Sequence, residues 1–336
     1  MIGHRGKAME ALLASVQPVL RALFRTSRPV YIATASATGL MEGALRNGAR
    51  RRVLSLVNGA FSDRFFQIAR ACGLEATALE VPLGSAHTPD MLADALRGGD
   101  FDSVTVVHSE TSTGALNPIR DLARVAHEAG DVVLLVDSVT GLAGARVEAD
   151  AWSLDFVLTG SQKAMALPPG LAFGVAQPGI LERARMNPAR GVYFDFVEFE
   201  KNILKNQTPN TPAVSLLHAL ALQMERIARE GVEERWERHA AMARRVWEWV
   251  DRLAAREIPL AVLAPEGFRS PTVTCITLPP GRTGPEVTSA LKARGFTIGS
   301  GYGTLKESSI RIGHMGDHSV ESLDTLLAEL EEVLVQ

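Results

Sequence analysis

Between Val30 and Ala176 short apolar runs recur, each followed by a segment of helix length, and this alternation constrains the fold more than any other feature of the chain. The runs are Val30–Ala35, Val53–Val57, Ala76–Val81, Val104–His108, Val132–Asp137, Phe156–Thr159 and Leu171–Ala176. Mostly apolar runs this short suit strands buried on both faces. Four intervening segments, Leu40–Ala49, Ser62–Cys72, Pro89–Arg97 and Pro118–Glu128, carry a helical period. Repeated strand–helix units need crossover connections, so the expected fold class is α/β: a mostly parallel seven-stranded sheet with helices on both faces. The composition agrees, with 46% hydrophobic residues but only 6% aromatic.

At 336 residues the chain exceeds one average core, which predicts a second, smaller domain. Helical pattern dominates Pro212–Ala255, and strands return at Thr272–Thr277 and Ser309–Ile312. The tail from Gly281 to Gln336 reads as helix, strand, strand, helix. The boundary falls within the helical stretch, giving a large domain over 1–235 and a small C-terminal α+β domain over 236–336. The basic first 25 residues could be an organelle-targeting peptide, but Ala8, Leu12, Leu13, Val16, Val19, Leu20 and Leu23 form one apolar stripe, which favours a helix packed on the body of the protein.

A formal net charge of −3 gives no field that would draw the chain to nucleic acid or anionic lipid, so small molecules are the expected partners. Cys72 and Cys275 have neither disulfide-framework nor zinc spacing and read as small core residues. No apolar run approaches the roughly 20 residues of a membrane helix, and a soluble, cytoplasmic enzyme is expected.

In open parallel sheets ligands bind beyond the carboxyl ends of the strands, and the polar residues of this chain cluster there. Asp137 ends an all-apolar strand, where its charge needs a partner unless it caps the next turn. Lys163 follows the next strand in a Ser-Gln-Lys turn flanked by Ala164–Leu167 and Pro168-Pro169-Gly170. Burial there lowers a lysine pKa from about 10.4 and frees its amine to condense with an aldehyde. An acid one strand away from such a lysine is the arrangement pyridoxal 5'-phosphate (PLP) requires, since a carboxylate keeps the pyridine nitrogen protonated while the lysine holds the aldehyde. TASATGLMEGALRN, after the first strand, supplies hydroxyls and free N–H groups for the phosphate.

TASATGLMEGALRN, VNGAFSDRF, HSETSTGALNP, LLVDSVTGLAG, LTGSQKAMALPPG, QTPNTPAVSLLHAL and SSIRIGHMGD together resemble the class V (fold type I) PLP-dependent aminotransferases, in particular the serine–pyruvate and alanine–glyoxylate branch, in order and approximate spacing. The resemblance covers nearly the whole chain. It implies that Lys163 carries the cofactor, that Asp137 pairs with the pyridinium, that Phe61 stacks on one ring face and Val139 on the other, and that Thr111 lies near the ring oxygen. It further implies that Ser36, Ala37, Thr38 and Gln162 bind the phosphate, and that Thr208 and Thr211 reach it across a homodimer interface. Arg311 would take the substrate carboxylate. The implied reaction moves an amino group from a small amino acid of serine or alanine type to glyoxylate or pyruvate. Read alone, Phe61 could be a core aromatic, Thr208 a helix cap and Arg311 a surface ion pair.

Relatives usually carry an N-terminal arm that helps close the active site, and this sequence lacks it, so the expectation is either looser substrate binding or a sequence that begins at a late start codon. Ala37 stands where a glycine is usual and Phe61 where tryptophan is frequent. Rival readings are a class V lyase or desulfurase, which would need a mobile cysteine and a ring-stacking histidine, and a nicotinamide oxidoreductase, prompted by Gly299, Gly301 and Gly303 in GSGYGT. That glycine run lacks GxGxxG spacing and opens no strand–helix unit. A cofactor-free scaffold on the same fold is a third rival, against which stands the joint presence of lysine, aspartate and arginine.

Overall fold

The computed structural model describes residues 2–335. Its main sheet contains all seven expected strands: β1 (Tyr31–Ala33), β2 (Arg52–Val57), β3 (Glu75–Glu80), β4 (Ser103–Val107), β5 (Val133–Asp137), β6 (Phe156–Gly160) and β7 (Ala172–Ala176). Their order is β1-β7-β6-β5-β4-β2-β3. The block from β3 to β6 is parallel, whereas β7 runs antiparallel to both β6 and β1. The turn-back follows from the short Ser161–Leu171 link, which contains no helix to carry the chain across the sheet.

Side-chain alternation along the strands builds two cores. On one face Leu134 and Val136 of β5 pack with α1 (Lys7–Phe24), α4 (Pro89–Arg97), α5 (Ile119–Glu128) and α8 (Val214–Glu230). On the other, Val133 and Leu135 pack with α2 (Ala37–Gly48), α3 (Ala60–Ala71), α6 (Pro178–Met186) and α7 (Phe196–Ile203). The N-terminal stripe is real but rotated from expectation: Met9, Leu13, Val16, Gln17, Leu20, Leu23 and Phe24 are buried in α1, whereas Ala8 is exposed. Gln17 belongs to the buried face because its amide exchanges hydrogen bonds with the backbone of Val30.

The helical stretch after Pro212 is two helices, α8 and α9 (Val232–Ala254), broken at Gly231, whose φ of 92° lies in the left-handed region. Near its start α9 holds the main body, where the buried guanidinium of Arg235 donates to the Ala164 carbonyl at 2.7 Å. Further along, Met242, Val246, Trp249, Val250 and Leu253 enter a third core beneath a second sheet. That antiparallel sheet has the order β8 (Ala261–Val262), β9 (Val273–Thr277), β11 (Ser309–Gly313), β10 (Gly299–Ser300). It is covered by α10 (Gly284–Ala293) and α11 (Val320–Val335), the helix–strand–strand–helix tail that the sequence predicts. A capping box between Thr283 and Glu286 starts α10.

Candidate active site

Period-two alternation puts Asp137, the last residue of β5, on the same sheet face as Val133 and Leu135, toward the N-termini of α2 and α3. Asp137 is buried, its Oδ1 accepts the Val139 N–H at 2.7 Å, and among the described residues no donor reaches Oδ2. Burial pushes its pKa up to about 7, with Glu110 adding to the rise, while the Val139 N–H and the charges of Lys163 and Arg64 oppose it. A carboxylate buried in this state is stabilised by a cationic donor placed at its free oxygen.

Lys163 lies one strand over, in the turn after β6. Ala166 N–H donates to the Lys163 carbonyl at 2.9 Å and Ser161 Oγ donates to the Pro168 carbonyl at 2.7 Å, so the loop is pinned on both sides of the lysine. Burial holds the amine below its ordinary pKa; the positive charge of Arg311 lowers it further and Asp137 raises it. Among the described residues Nζ has no hydrogen-bond or ion-pair partner. A pinned lysine with a depressed pKa suits nucleophilic and proton-transfer chemistry.

Ser36 is the N-cap of α2, and its side chain makes no capping bond. The Gly39 N–H turns back to the Ser36 carbonyl, whereas the N–H groups of Ala37 and Thr38 have no protein acceptor among the described residues. No acidic residue lies in this first turn. Free N–H groups, two hydroxyls and the positive end of the helix dipole make an anion cradle. The usual glycine is not needed at position 37, because Ala37 is buried in the core side of the helix while its N–H remains free.

Phe61 opens α3, and the carboxylate of Glu110 holds it in place. Glu110 is fully buried and accepts from the Ser62 N–H at 2.9 Å, the Phe61 N–H at 3.2 Å, Ser62 Oγ at 3.0 Å and Ser112 Oγ at 2.6 Å. A Cβ on Gly59 would approach within 2.5 Å of Glu110 Cγ, so glycine is required for this close approach.

One cleft gathers Ser36, Ala37, Thr38, Phe61, Thr111, Asp137, Val139, Gln162 and Lys163. Convergent polar groups on a partly apolar, concave lining suit a small-molecule or cofactor site. Thr111 pairs its hydroxyl with that of Thr140, a cleft residue the sequence reading missed, and Arg64 likewise lines the cleft with its guanidinium 5.0 Å from the Phe61 ring centroid. Arg311 comes from the small sheet. Its neighbours Ile310 and Ile312 are buried while its own side chain turns to the cleft edge, donating from Nε to the Ser300 carbonyl at 2.9 Å and from Nη1 to the Thr111 carbonyl at 3.2 Å. No carboxylate pairs with it among the described residues, which leaves Nη2 free. Arg311 is thus not a surface ion pair.

Thr208 and Thr211 lie outside the cleft of this chain. The Thr208 hydroxyl donates to the Asn210 carbonyl at 2.7 Å rather than capping α8, and Thr211 is exposed. Neither Cys72, at the end of α3, nor Cys275, buried in β9, lines the cleft. GSGYGT forms edge strand β10 and the turn after it, not a phosphate loop.

The family model for aminotransferase class-V matches residues 39–320. The chain belongs to this family. Among curated relatives of this class-V aminotransferase, it is 32% identical to the small subunit of a soluble hydrogenase from Synechococcus, over 100% of this chain and 87% of the relative. It is 31% identical to the L-aspartate–glyoxylate aminotransferase of Paracoccus denitrificans, over 94% and 81%. Among solved structures, the aspartate aminotransferase of Thermus thermophilus superposes with a TM-score of 0.90 at 31% identity, over 100% of this chain and 93% of the other. The fold is that of the fold type I PLP enzymes, and PLP is the cofactor of this class-V aminotransferase. The residues present fit it: an unpartnered buried carboxylate oxygen for a cationic ring nitrogen, an unpaired lysine amine for an aldehyde, and unsatisfied helix N–H groups for a phosphate.

Proposed function

We propose that this aminotransferase moves an amino group from a small amino acid of serine or alanine type to glyoxylate or pyruvate, with Lys163 and Asp137 as its catalytic residues. The observation that carries the reading is the convergence of unpartnered Asp137 Oδ2, unpaired Lys163 Nζ and the free N–H groups of Ala37 and Thr38 in one cleft. Ser36, Ala37, Thr38 and Gln162 would hold the phosphate, Phe61 and Val139 would pack on the ring, and Thr111 would offer it a hydroxyl. PLP, once bound, supplies an electron sink that acidifies the donor's α-carbon. Asp137 keeps a proton on the ring nitrogen. Arg311 presents its free Nη edge to the donor carboxylate, a planar fork suited to two parallel hydrogen bonds. Lys163 Nζ takes the proton from the donor α-carbon and delivers it to the cofactor side, acting first as base and then as acid. Its depressed pKa keeps a larger share of the amine neutral for the first step.

Glyoxylate as acceptor draws support from the L-aspartate–glyoxylate relative. A second donor reading, aspartate, is favoured by Arg64, whose guanidinium has no acidic partner among the described residues and is a second cation on the cleft. Initial rates with alanine, serine and aspartate against glyoxylate separate the two: alanine and serine ahead of aspartate supports the first reading, and aspartate at least tenfold ahead, lost in Arg64→Ala, supports the second.

We further propose a homodimer in which Thr208 and Thr211 of each subunit complete the other's phosphate site. Thr211 is exposed, and Asn210 Nδ2 donates at 3.0 Å to the carbonyl of Tyr193, beside Val192, whose side chain is 90% exposed. An apolar side chain so exposed next to the segment suits a subunit contact. We place the domain boundary within α9, near 235/236, and the protein in the cytoplasm, in keeping with its two free cysteines. No helix among the described residues is long and apolar enough to cross a membrane.

A further inference from the structure

The glycine-rich run Gly299–Gly303 has no part in the reading above, yet it lies against the substrate side of the cleft. Gly299 and Ser300 pair with Arg311 and Ile310 across the edge of the small sheet, and the Ser300 carbonyl accepts the Arg311 Nε–H. A Cβ on Gly299 would lie 3.3 Å from Arg311 Nη2, and a Cβ on Gly301 would collide with the Leu305 carbonyl oxygen. Gly299 lets the backbone run close beneath the guanidinium, Gly301 lets the turn close on Leu305, and the chain between Gly301 and Gly303 delivers Tyr302. The Tyr302 ring centroid lies 5.7 Å from that of Phe61, with the planes tilted by 41°, and the Arg311 guanidinium carbon lies 5.6 Å from the Tyr302 centroid. Tyr302 remains 40% exposed, so it is packed on the cleft side and open on the other.

We propose that Tyr302 is a specificity-determining residue that limits the donor side chain to about the size of a methyl or hydroxymethyl group. A donor whose carboxylate sits on Arg311 and whose α-carbon lies beside Lys163 occupies the space between Arg311 and the Phe61 ring. Tyr302 touches both of those groups, so its ring walls that space where a side chain on the α-carbon emerges. Contacts on two sides fix the ring, and the aromatic face accepts a small group by dispersion but leaves no volume for a branched or aromatic one. Removing a wall of this kind changes discrimination between side chains by about tenfold or more. The inference rests on the aminotransferase reading with Arg311 as the carboxylate fork.

The test uses the holoenzyme and its Tyr302→Ala and Tyr302→Phe variants. With glyoxylate as acceptor, the ratio of kcat/KM for leucine to that for alanine rises about tenfold or more in Tyr302→Ala and stays at the parent value in Tyr302→Phe. Titration of the bound cofactor's visible spectrum with propionate and with 4-methylpentanoate, the non-reacting counterparts of alanine and leucine, shows the same change in relative affinity. An unchanged ratio in Tyr302→Ala overturns the proposal, and so does Tyr302→Phe shifting as far as Tyr302→Ala, which would place the discrimination in the hydroxyl. Should the parent enzyme transfer nitrogen from no donor, the functional reading fails, while the two carboxylate affinities still decide the role of Tyr302.

Discussion

Arg311 Nη1 donates to the Thr111 carbonyl at 3.2 Å, a bond that ties the small sheet to the loop beyond β4 across the mouth of the cleft. The same guanidinium is anchored through Nε by Ser300, so only one edge remains for a ligand. Arg311→Leu therefore removes carboxylate binding while leaving Asp137, Lys163 and the free N–H groups of Ala37 and Thr38 in place. The expected outcome is a fall in kcat/KM of roughly 10²-fold or more, carried mainly in KM, since losing one partner of such a pair costs about 2–5 kcal/mol. The variant still takes up the cofactor, as its visible spectrum shows. Steady-state kinetics on both proteins checks this.

Asp137 makes stability depend on pH in a direction opposite to most carboxylates. Its folded pKa, about 7, lies above its ordinary value of 3.8, so the apoprotein retains the stabilising proton below about pH 4 and loses that stability as pH rises through 7. Asp137→Asn should accordingly raise the Tm of the apoprotein at pH 8, with the gain shrinking toward pH 4. The same substitution should lower kcat by about 10²-fold or more, because the ring nitrogen loses its ionised partner. Melting curves of the two apoproteins between pH 4 and 8 measure the first effect and turnover of the two holoenzymes the second.

Glu110 gathers backbone and hydroxyl donors from Phe61, Ser62 and Ser112 at full burial. Glu110→Ala strands those donors, and a loss of about 3 kcal/mol is expected in urea denaturation, together with weaker cofactor retention as Phe61 loosens. A loss below about 1 kcal/mol would mean that water or the loop itself satisfies them.

Much of this site was legible because the signals are periodic. Short, mostly apolar runs located all seven main strands, and their carboxyl ends located Asp137, Lys163 and Ser36–Thr38. The reversal of β7 was not legible, because burial on both faces gives the same apolar pattern in either direction. Two-residue strands such as Gly299–Ser300 are too short to carry a period, which is why GSGYGT suggested a nucleotide loop rather than a backing for Arg311. Arg64 carries no signal in the sequence, since nothing in its spacing records that α3 starts at the cleft. Glu110 sat in the polar run SETST, where no pattern distinguishes a buried acceptor of several N–H groups from a loop acid.

If subunits share the phosphate site, disrupting their contact should remove activity without altering a single cleft residue. Val192→Asp places a charge on a highly exposed apolar position near Thr211. Light scattering should find a dimer in the parent and a larger monomer fraction in the variant, with cofactor affinity falling in step. A parent protein that is monomeric yet fully active would remove Thr208 and Thr211 from the site.

The central claim is that Lys163 carries the cofactor. Borohydride reduction of the holoprotein fixes the cofactor irreversibly to the amine that holds it, and peptide mapping by mass spectrometry then identifies that residue. A pyridoxyl-phosphate adduct is expected on the peptide containing Lys163, absent when Lys163→Ala is treated in the same way. An adduct on another lysine, or a holoprotein that yields none, would contradict it.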